Sequence, residues 1–495
     1  MLRLGRFHLI RVVLGCILVG LIIAIFANRQ EENAILRVDT TNARLHLSEI
    51  DAMSGANTTC PICFGRDACH ELFNDVSNGA LQVSRESQKL SSLNQVVHGI
   101  YRNGKVRFWM KTKPPSPSLL QGFESYICSK AAGEDNKGDV ANCDISVAAK
   151  SSEFLYAASV DLDTIRDLYK YHLVSRRRIP LTICPSWKLV QGLVLAFDDD
   201  DDNTLTAMEK IVLLTTLATN PEIAVYKFIL NQKLQFPVLP YFGACGRLTF
   251  IQGPYKALTD FIAEPLAVRV HLGAQVLQLV DGFIHDDPNW LLFTRDLSYD
   301  NFIVTDANQV FLKDLSHVML IDKDFYTQPD TDEEEVKWSN DRFDKLYDGL
   351  VETKNDTNYQ AQCSSVFDYT EHMYSLVCQY VLSDLEHDKE LRRTNPLAKS
   401  YPGLLHHLSE PDADGKPLFE DVALVESLLS RCSSSPNLET RQEAGLQLLQ
   451  ELTFEKDYEQ GGLATDDADE NIGEEDIGRD LYEHVQDGPP DGDTD

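Results

Sequence analysis

The sequence predicts an α+β fold built as two lobes. Apolar residues make up 43% of the 495 residues and charged residues 25%, which is typical of a folded protein with one large or two ordinary domains. Alternating apolar residues between Lys105 and Lys113 predict a β-strand, whereas the stretch from Pro265 to Ile284 has the apolar spacing of a helix. Seventy-seven acidic residues oppose 45 basic ones, and the formal charge of -32 argues against a nucleic-acid-binding protein.

The amino terminus carries a candidate membrane segment. Unbroken apolar sequence runs from Val12 to Ala27, with arginines before it and glutamates after it. By the positive-inside rule, residues 1–8 stay cytosolic and the remainder of the chain enters a lumen. We interpret residues 9–27 as an uncleaved signal anchor, which makes the chain a single-pass type II protein. A cleaved signal peptide is the alternative, although a cut after Ala27 would place the large residue Ile25 at the minus-three position.

The cysteine count agrees with an oxidising compartment. Cys16 lies in the membrane segment, and the ten cysteines after it allow up to five disulfides whose pairing the sequence leaves open. The cluster between Cys60 and Cys69 would alternatively hold zinc, but no second CxxC pair or HxxxH partner follows at the spacing of a zinc finger. Glycosylation sequons at Asn57 and Asn355 also fit a lumenal chain.

The remaining chain divides by composition. Residues 28–57 are a polar stem, residues 58–250 a cysteine-rich first lobe, and residues 251–453 a second lobe. Residues 454–495 form an acidic tail, and its part from 464 to 495 holds 13 acids against one base. Such a composition cannot bury a core, so we expect the tail to be disordered.

The most informative stretch is a pair of short apolar segments, 302–304 and 310–312. A turn-rich segment separates them, which predicts a β-hairpin. Asp296 and Asn301 precede the first strand, and Asp314 follows the second. The hairpin therefore brings three oxygen-bearing side chains to one edge, where they suit a divalent metal and phosphate oxygens. A hairpin with solvated acids at its ends is the alternative.

The spacing of these residues resembles that of protein kinases. The catalytic loop H-R-D-L-x-x-x-N of that family reads TRDLSYDN at 294–301, and its metal-binding D-F-G reads DLS at 314–316. The resemblance implies a two-lobed kinase-like fold in which Asp296 orients and deprotonates the acceptor hydroxyl. It also implies that Asn301 and Asp314 hold Mg²⁺ or Mn²⁺ on ATP.

The first lobe offers a candidate lysine for the phosphates of ATP. The stretch KVRFWMKTK resembles the kinase strand V-A-I-K, so we predict that Lys111 grips the α- and β-phosphates, with Lys113 as the alternative. The ion-pair partner of this lysine should be a glutamate on the next helix. Glu124 is the nearest, and Glu153 also lies in a plausible helical stretch. The glycine-rich loop of the family is absent, which puts phosphate cradling in doubt.

A predicted helix–loop–helix insertion at 187–220 contains a match to the calcium loop of an EF-hand. Position 6 of such loops is usually glycine, and here it is Asn203, the next most tolerant of a left-handed backbone. A solvated acidic loop is the alternative, because five consecutive aspartates match many patterns. No second loop is found to pair with it. The predicted calcium ligands, at positions 1, 3, 5, 7 and 12, are Asp198, Asp200, Asp202, the carbonyl of Thr204, and Glu209.

A membrane anchor, a cysteine-rich lumenal kinase-like body and an inserted EF-hand together resemble the divergent protein kinase-domain family. Its deleted-in-autism-type subgroup is the most similar, on CPICFG at 60–65, YFGACGR at 241–247, LSYDNF at 297–302 and the DLS motif. The EF-hand looks more like a sister subgroup that places such a loop in its upper lobe. The resemblance covers residues 58–453 and implies residence in the endoplasmic reticulum or Golgi, or secretion.

Two functions fit these features. The first is an active secretory-pathway kinase that transfers the phosphate of ATP to a lumenal or secreted acceptor. The second is an inactive pseudokinase that acts as a calcium-stabilised binding protein for a lumenal or secreted partner or receptor. Retention of the three oxygen ligands favours the first, whereas Thr294 in place of histidine and Ser316 in place of glycine favour the second. Calcium buffering is a third interpretation, but it leaves the hairpin motif unexplained.

Overall fold

The computed structural model describes the folded body in segments. The predicted cytosolic tail, membrane segment, stem and sequons lie outside these segments, as does the acidic tail beyond Phe454. None of the helices within them combines the length and the apolar character that crossing a membrane requires. For 81–84, 96–101 and 107–111 only the backbone is described. The described residues are 60, 62–77, 81–84, 96–101, 107–111, 121–125, 127–128, 143–144, 147–149, 160, 165, 184, 186–199, 202–253, 255–294, 297–315, 318–326, 370, 372–383, 402–411, 415–435 and 437–454.

A five-stranded antiparallel sheet, which we call the large sheet, forms the first lobe. Its strands stand in the order β1-β2-β3-β5-β4, so β3 lies beside β5 although a long insertion separates them in the chain. The strand predicted from alternation is confirmed and ends at Lys111, whose backbone lies opposite Thr249. The strands are β1 (Leu81–Ser84), β2 (Val96–Tyr101), β3 (Arg107–Lys111), β4 (Tyr241–Cys245) and β5 (Leu248–Gln252).

Disulfides hold the segment that precedes the large sheet. Helix α1 (Cys69–Ser77) begins at a cysteine that is bonded to Cys245 of β4. Cys60 and Cys63 bond to each other, so all three cysteines of the amino-terminal cluster are in disulfides and the zinc alternative is wrong. Cys184 is also disulfide-bonded, to a cysteine outside the described residues. The remaining described pairs are Cys128–Cys143 and Cys378–Cys432.

Three consecutive helices lie between β3 and β4 in the chain: α2 (Trp187–Phe197), α3 (Ala207–Thr219) and α4 (Pro221–Asn231). They include the two helices predicted to flank the acidic loop. Helices α2 and α4 pack closely, because Gly192 faces the ring of Phe228 with no room for a side chain. The Asn231 side-chain amide donates to the Leu195 carbonyl at 3.3 Å. A proline at its first position, where no amide hydrogen is needed, starts α4 directly after α3.

The second lobe is built on a long helix, α5 (Leu266–His285), which falls within one residue of its predicted bounds. The predicted hairpin is confirmed, with Phe302 opposite Leu312 and Val304 opposite Val310. Strands β7 and β10 form a separate antiparallel pair. The remaining elements are β6 (Lys256–Ala257), β7 (Trp290–Thr294), β8 (Phe302–Val304), β9 (Val310–Leu312), β10 (Val318–Asp322), α6 (Lys323–Tyr326), α7 (His372–Val377), a π-helical turn (Cys378–Leu382), α8 (Val422–Ser434) and α9 (Leu438–Phe454).

The side chain of Gln275 fixes the hairpin to α5. Its Oε1 accepts a hydrogen bond from the Val310 amide at 3.0 Å, and its Nε2 donates to the Asn308 carbonyl at 2.8 Å. Both backbone groups would otherwise need another partner at the edge of the hairpin. The turn of the hairpin is thereby held in place relative to the longest buried helix of the second lobe.

Candidate active site

The structure brings together two of the three residues predicted at the hairpin edge, through the side chain of Asn301 and the backbone of Asp314. Asn301 is 3% exposed and ends a short 3₁₀ turn just before β8. Its Oδ1 accepts from the Asp314 amide at 2.9 Å, and its Nδ2 donates to the Asp314 carbonyl at 3.3 Å. The Lys313 amide donates to the Asn301 carbonyl at 2.9 Å. The two residues are therefore tied across the base of the hairpin.

The third of these residues, Asp296, lies outside the described residues, in a gap of two between Thr294 and Leu297. Thr294 ends β7, is fully buried, and donates its amide to Sδ of Met373 on α7 at 3.3 Å. Leu297 is also buried. Both ends of the gap are thus anchored in the core, and the role of Asp296 stays a prediction.

A glutamate that the sequence analysis did not consider reaches the same site. Glu222, in the first turn of α4, is 4% exposed, and its Oε1 accepts from the Leu315 amide at 3.3 Å. One turn further along α4, the Tyr226 hydroxyl lies 3.5 Å from the Lys313 carbonyl. Helix α4 therefore contacts the backbone on both sides of Asp314.

Two carboxylates contribute to the electrostatics of this corner. Burial raises the pKa of Tyr226 well above its usual value, and the nearby carboxylates of Glu222 and Asp314 raise it further. Tyr226 is therefore neutral, and two carboxylates act on the same buried volume. A positively charged group nearby stabilises carboxylates that are partly removed from water. A lysine ammonium or a metal ion has the required charge.

The two predicted members of the lysine–glutamate pair are placed differently. Lys111 ends β3, next to β5 in the large sheet, and its side chain lies outside the description. Glu124 forms an ion pair with the Arg247 guanidinium, whose Nε and Nη2 also lie 3.4 Å from the Ile62 carbonyl. The segment from Cys60 to Cys69, which we call the cystine segment, lies before the large sheet in the chain. Glu124 thus helps to hold the cystine segment against the turn between β4 and β5. The alternatives Lys113 and Glu153 fall outside the described residues.

The donor set at the hairpin edge fits a magnesium or manganese ion. Mg²⁺ prefers oxygen ligands and usually binds through one or two carboxylates together with substrate phosphates. Asn301 and Asp314 would supply an amide and a carboxylate oxygen, and the bound ion would neutralise phosphate charge. Across the described parts of the chain, no three His, Cys, Asp or Glu side chains group together as a ready metal site.

The acidic loop between α2 and α3 has several features of an EF-hand loop. Asp198 Oδ2 accepts from the Asn203 amide at 2.6 Å, and Asn203 adopts the left-handed backbone, at φ 63°, that position 6 of the motif requires. Asp202 Oδ1 accepts from the amide of Thr204 at 2.8 Å and from its hydroxyl at 2.6 Å, which lowers the pKa of Asp202.

The last residue of the loop, Glu209, has a structural task of its own. Its Oε2 accepts from the Thr206 amide at 2.7 Å while the Thr206 hydroxyl accepts from the Glu209 amide, which is the capping box that starts α3. Its Oε1 accepts from the Asp199 amide at 2.9 Å. Asp200 lies outside the described residues, and calcium binding stays a prediction.

Comparison with known proteins supports the kinase-like interpretation. A family described as "Protein-kinase domain of FAM69" matches residues 214–405. Human "Divergent protein kinase domain 2A" is 26% identical over 413 residues, covering 79% of this chain and 86% of that protein. The Xenopus tropicalis protein of the same name is 26% identical over 386 residues, covering 76% and 81%. Bovine "Divergent protein kinase domain 2B" is 25% identical over 256 residues, covering 50% and 46%.

Proposed function

We propose that this chain, a divergent kinase-like protein, transfers phosphate from ATP to an acceptor in the secretory pathway. The observation that carries the proposal is the mutual tie of Asn301 and Asp314 at the base of the hairpin. Phosphoryl transfer depends mostly on positioning and on neutralising charge, so a fixed pair of oxygen ligands is a large part of what the reaction needs.

The other roles follow from the same site. We propose that Lys111 grips the α- and β-phosphates, and that Glu222 rather than Glu124 is its ion-pair partner. Glu222 is buried against the residue after Asp314, whereas the carboxylate of Glu124 is bonded to Arg247. Asp296 would accept the proton of the acceptor hydroxyl, and Asn301 and Asp314 would hold Mg²⁺ or Mn²⁺.

The setting of the reaction is also a proposal. Four described disulfides, together with bonded Cys184, support an oxidising compartment, because disulfides are rare in reducing ones. We place the chain in the endoplasmic reticulum or Golgi, anchored by residues 9–27 with its carboxyl terminus in the lumen, or secreted after cleavage. The acceptor would then be a hydroxyl of a lumenal or secreted protein or glycan.

A calcium-stabilised pseudokinase is the second candidate. Two observations favour it: Thr294 is buried where a kinase has histidine, and the acidic loop already has the left-handed residue that an EF-hand needs. We propose that the loop binds Ca²⁺ through Asp198, Asp200, Asp202, the Thr204 carbonyl and Glu209. In this alternative the protein would bind a lumenal or secreted partner without transferring phosphate.

Thermal unfolding of the full-length protein with and without ATP and Mn²⁺, at saturating Ca²⁺, tests the nucleotide site. A ligand that binds only the folded state at 100 times its Kd stabilises it by about 2.7 kcal/mol. We expect the midpoint to rise in the wild type and in Asp306→Ala, which removes an exposed acid from the turn of the same hairpin. The rise should vanish in Asp314→Ala. An equal rise in Asp314→Ala would contradict the assigned site.

Asp296→Asn separates the two candidate functions. If the protein is a kinase, this variant keeps the nucleotide-induced rise but loses the release of ADP from ATP, because the base is gone while the metal ligands remain. If the wild type binds nucleotide but forms ADP no faster than Asp296→Asn does, the result favours the pseudokinase. A correctly folded wild type without any nucleotide-induced rise would refute the nucleotide site itself.

A further inference from the structure

We propose that Ser186 and Asp322 are positioning residues for the nucleotide site. This inference rests on the proposed function. The Ser186 hydroxyl donates to Asp322 Oδ2 at 2.6 Å across 136 positions of sequence. Both side chains are buried, at 0% and 3% exposure. A short hydrogen bond to a buried carboxylate is among the stronger neutral-to-charged contacts in a protein.

Each partner of this bond lies at one end of a helix or strand. Ser186 is the N-cap of α2, where its hydroxyl oxygen accepts from the Leu189 amide at 3.1 Å. Asp322 is the last residue of β10, and its Oδ1 accepts from the Phe325 amide at 3.4 Å. The bond therefore joins the start of the inserted helix to the end of the strand that follows Asp314 in the chain.

Neighbouring contacts reinforce the same junction. The Cys184 amide donates to the Leu320 carbonyl of β10 at 3.0 Å. The Lys188 ammonium donates to Asn289 Oδ1 at 2.9 Å and to Asp324 Oδ2 at 2.8 Å. The start of α2 is thus attached to β10 and to the residue just before β7, the strand that leads to Asp296.

These contacts close a ring of packed elements that passes next to Asp314. From Ser186 the ring follows α2 to α4, which pack at Gly192 and Phe228. The aromatic side chain of Phe228 also packs edge-on against Trp290 of β7, with 4.7 Å between the two centroids. Helix α4 then reaches Leu315 through Glu222, and three residues later the chain enters β10, which ends at Asp322.

The ring explains why the Ser186–Asp322 bond should affect the site as well as the stability of the fold. Glu222 holds the segment after Asp314 from one side, and the Ser186 contact holds the far end of the following strand. When Ser186 loses its hydroxyl, β10 keeps its pairing with β7 but loses this link to α2, against which the helix that carries Glu222 packs. Asp314 and Glu222 are then less well fixed relative to each other, which costs binding that depends on preorganisation.

The test compares Ser186→Ala with two matched variants in the full-length protein. Ser186→Thr keeps the hydroxyl and the cap, whereas Asp421→Ala removes an equivalent N-cap bond from α8, to the Leu424 amide. The readouts are the affinity for MnATP and amide hydrogen exchange over residues 310–322 without nucleotide. We expect Ser186→Ala to bind MnATP about tenfold more weakly and to exchange faster over 310–322. Ser186→Thr should resemble the wild type, and Asp421→Ala should leave both readouts unchanged.

A further variant guards against misfolding. Asp322→Asn keeps an acceptor for the Ser186 hydroxyl but removes the charge, so we expect a weaker effect of the same sign. Wild-type affinity and exchange in Ser186→Ala, or an equal loss in Asp421→Ala, would overturn the proposal while the nucleotide site stands. If the wild type itself binds no MnATP, the proposed function fails separately. In that case, unchanged hydrogen exchange over 310–322 in Ser186→Ala would also overturn the role of the Ser186–Asp322 bond in holding this segment.

Discussion

The hairpin edge and the acidic loop are both rich in side-chain oxygens, yet the structure holds them in different ways. At the hairpin, Asn301 and Asp314 are joined by two hydrogen bonds between positions 13 apart, and Asn301 is buried. In the loop, Asp198 and Glu209 accept from amides of their own twelve-residue segment, and six of its ten described residues are exposed.

The difference teaches which oxygens are ready for a ligand. At the hairpin, buried Asn301 is held by two hydrogen bonds and its Oδ1 keeps a second lone pair for an ion, so binding an ion there requires little rearrangement. The loop closes on itself, and Glu209 has to give up its capping-box bonds before both of its oxygens can bind Ca²⁺. We therefore expect substitutions at the hairpin to cost folding stability and nucleotide binding together, and substitutions in the loop to act mainly through calcium.

The largest effect should come from Asn301→Ala. The change removes the Asn301 side chain from the amide and carbonyl of half-buried Asp314, which should lower the free energy of unfolding by about 3 kcal/mol. It should also abolish the ATP- and Mn²⁺-induced rise in the midpoint. Chemical denaturation measures the first effect and thermal unfolding the second. Gln309→Ala, which removes an exposed amide from the same hairpin, is the control. If Asn301→Ala and Gln309→Ala unfold with equal free energies, the Asn301–Asp314 contact does not stabilise the fold, and the contrast with the loop fails.

The second largest effect should come from lowering the pH, which reduces the stability of the fold through buried His372. His372 begins α7, the helix whose Met373 accepts the Thr294 amide, and burial, with a further contribution from Arg441, lowers its pKa to about 3. The unfolded chain binds a proton below about pH 6.5 while the folded chain does not, so the stability from neutral His372 is lost as the pH falls from about 6.5 towards 3. By pH 4.5 the loss should be about 2 to 3 kcal/mol.

Urea unfolding at several pH values measures this effect. His372→Asn cannot be protonated in this range, so its stability should fall less steeply with acid than that of the wild type. His407→Asn, at an exposed position, provides the matched control. If the wild type and His372→Asn lose stability in parallel between pH 6.5 and 4.5, the assignment to His372 is wrong.

Glu209→Gln should have a smaller effect on the metal-free protein. The amide can keep part of the capping box, so we expect a loss of at most about 1 kcal/mol without Ca²⁺. The stabilisation produced by added Ca²⁺ should disappear, because the motif relies on a bidentate carboxylate at this position. Asp199→Asn removes the same charge at a position that is not a predicted ligand, and it should keep the calcium response. A calcium response that survives in Glu209→Gln would contradict the EF-hand interpretation.

The smallest effect should come from Lys188→Ala. Its ion pair with Asp324 is 2.8 Å long, but the side chains are 44% and 68% exposed. The carboxylate of Asp324 raises the pKa of Lys188, chiefly through their hydrogen bond. Exposed pairs contribute at most about 1 kcal/mol, and salt screens them. We would measure the free energy of unfolding of Lys188→Ala and of the wild type at low salt and in 1 M NaCl. A difference that persists in 1 M NaCl would show that Lys188 acts through more than its charge.

The second lobe was the more predictable half of the molecule. Helix α5 and the hairpin appear within one residue of their predicted bounds, because their apolar spacing is regular and turn residues bound them. Asn301 and Asp314 followed from that hairpin. Local patterns of this kind are readable from one sequence, since each element needs only its neighbours in the chain.

The first lobe was less predictable, for two reasons. Helix α4, which carries Glu222, is buried on nearly all sides and so has no amphipathic pattern to mark its inner face. The insertion between β3 and α4 also made Glu124 the nearer choice in sequence. Pro221 directly after Asn220 was the one local sign that a new helix begins there. The Cys69–Cys245 pairing spans 176 positions, and spacing alone cannot reveal it.

The cystine segment has a consequence for how copies of this protein behave towards each other. β4 is an outer strand of the large sheet, and such strands invite pairing with another chain. Here the Phe64 amide donates to the Gly246 carbonyl at 2.7 Å, the Gly246 amide to the Gly65 carbonyl at 2.8 Å, and the Ala68 amide to the Ala244 carbonyl at 3.0 Å. Because the Cys69–Cys245 bond fixes this covering segment covalently, the disulfide also guards the folded chain against edge-to-edge aggregation.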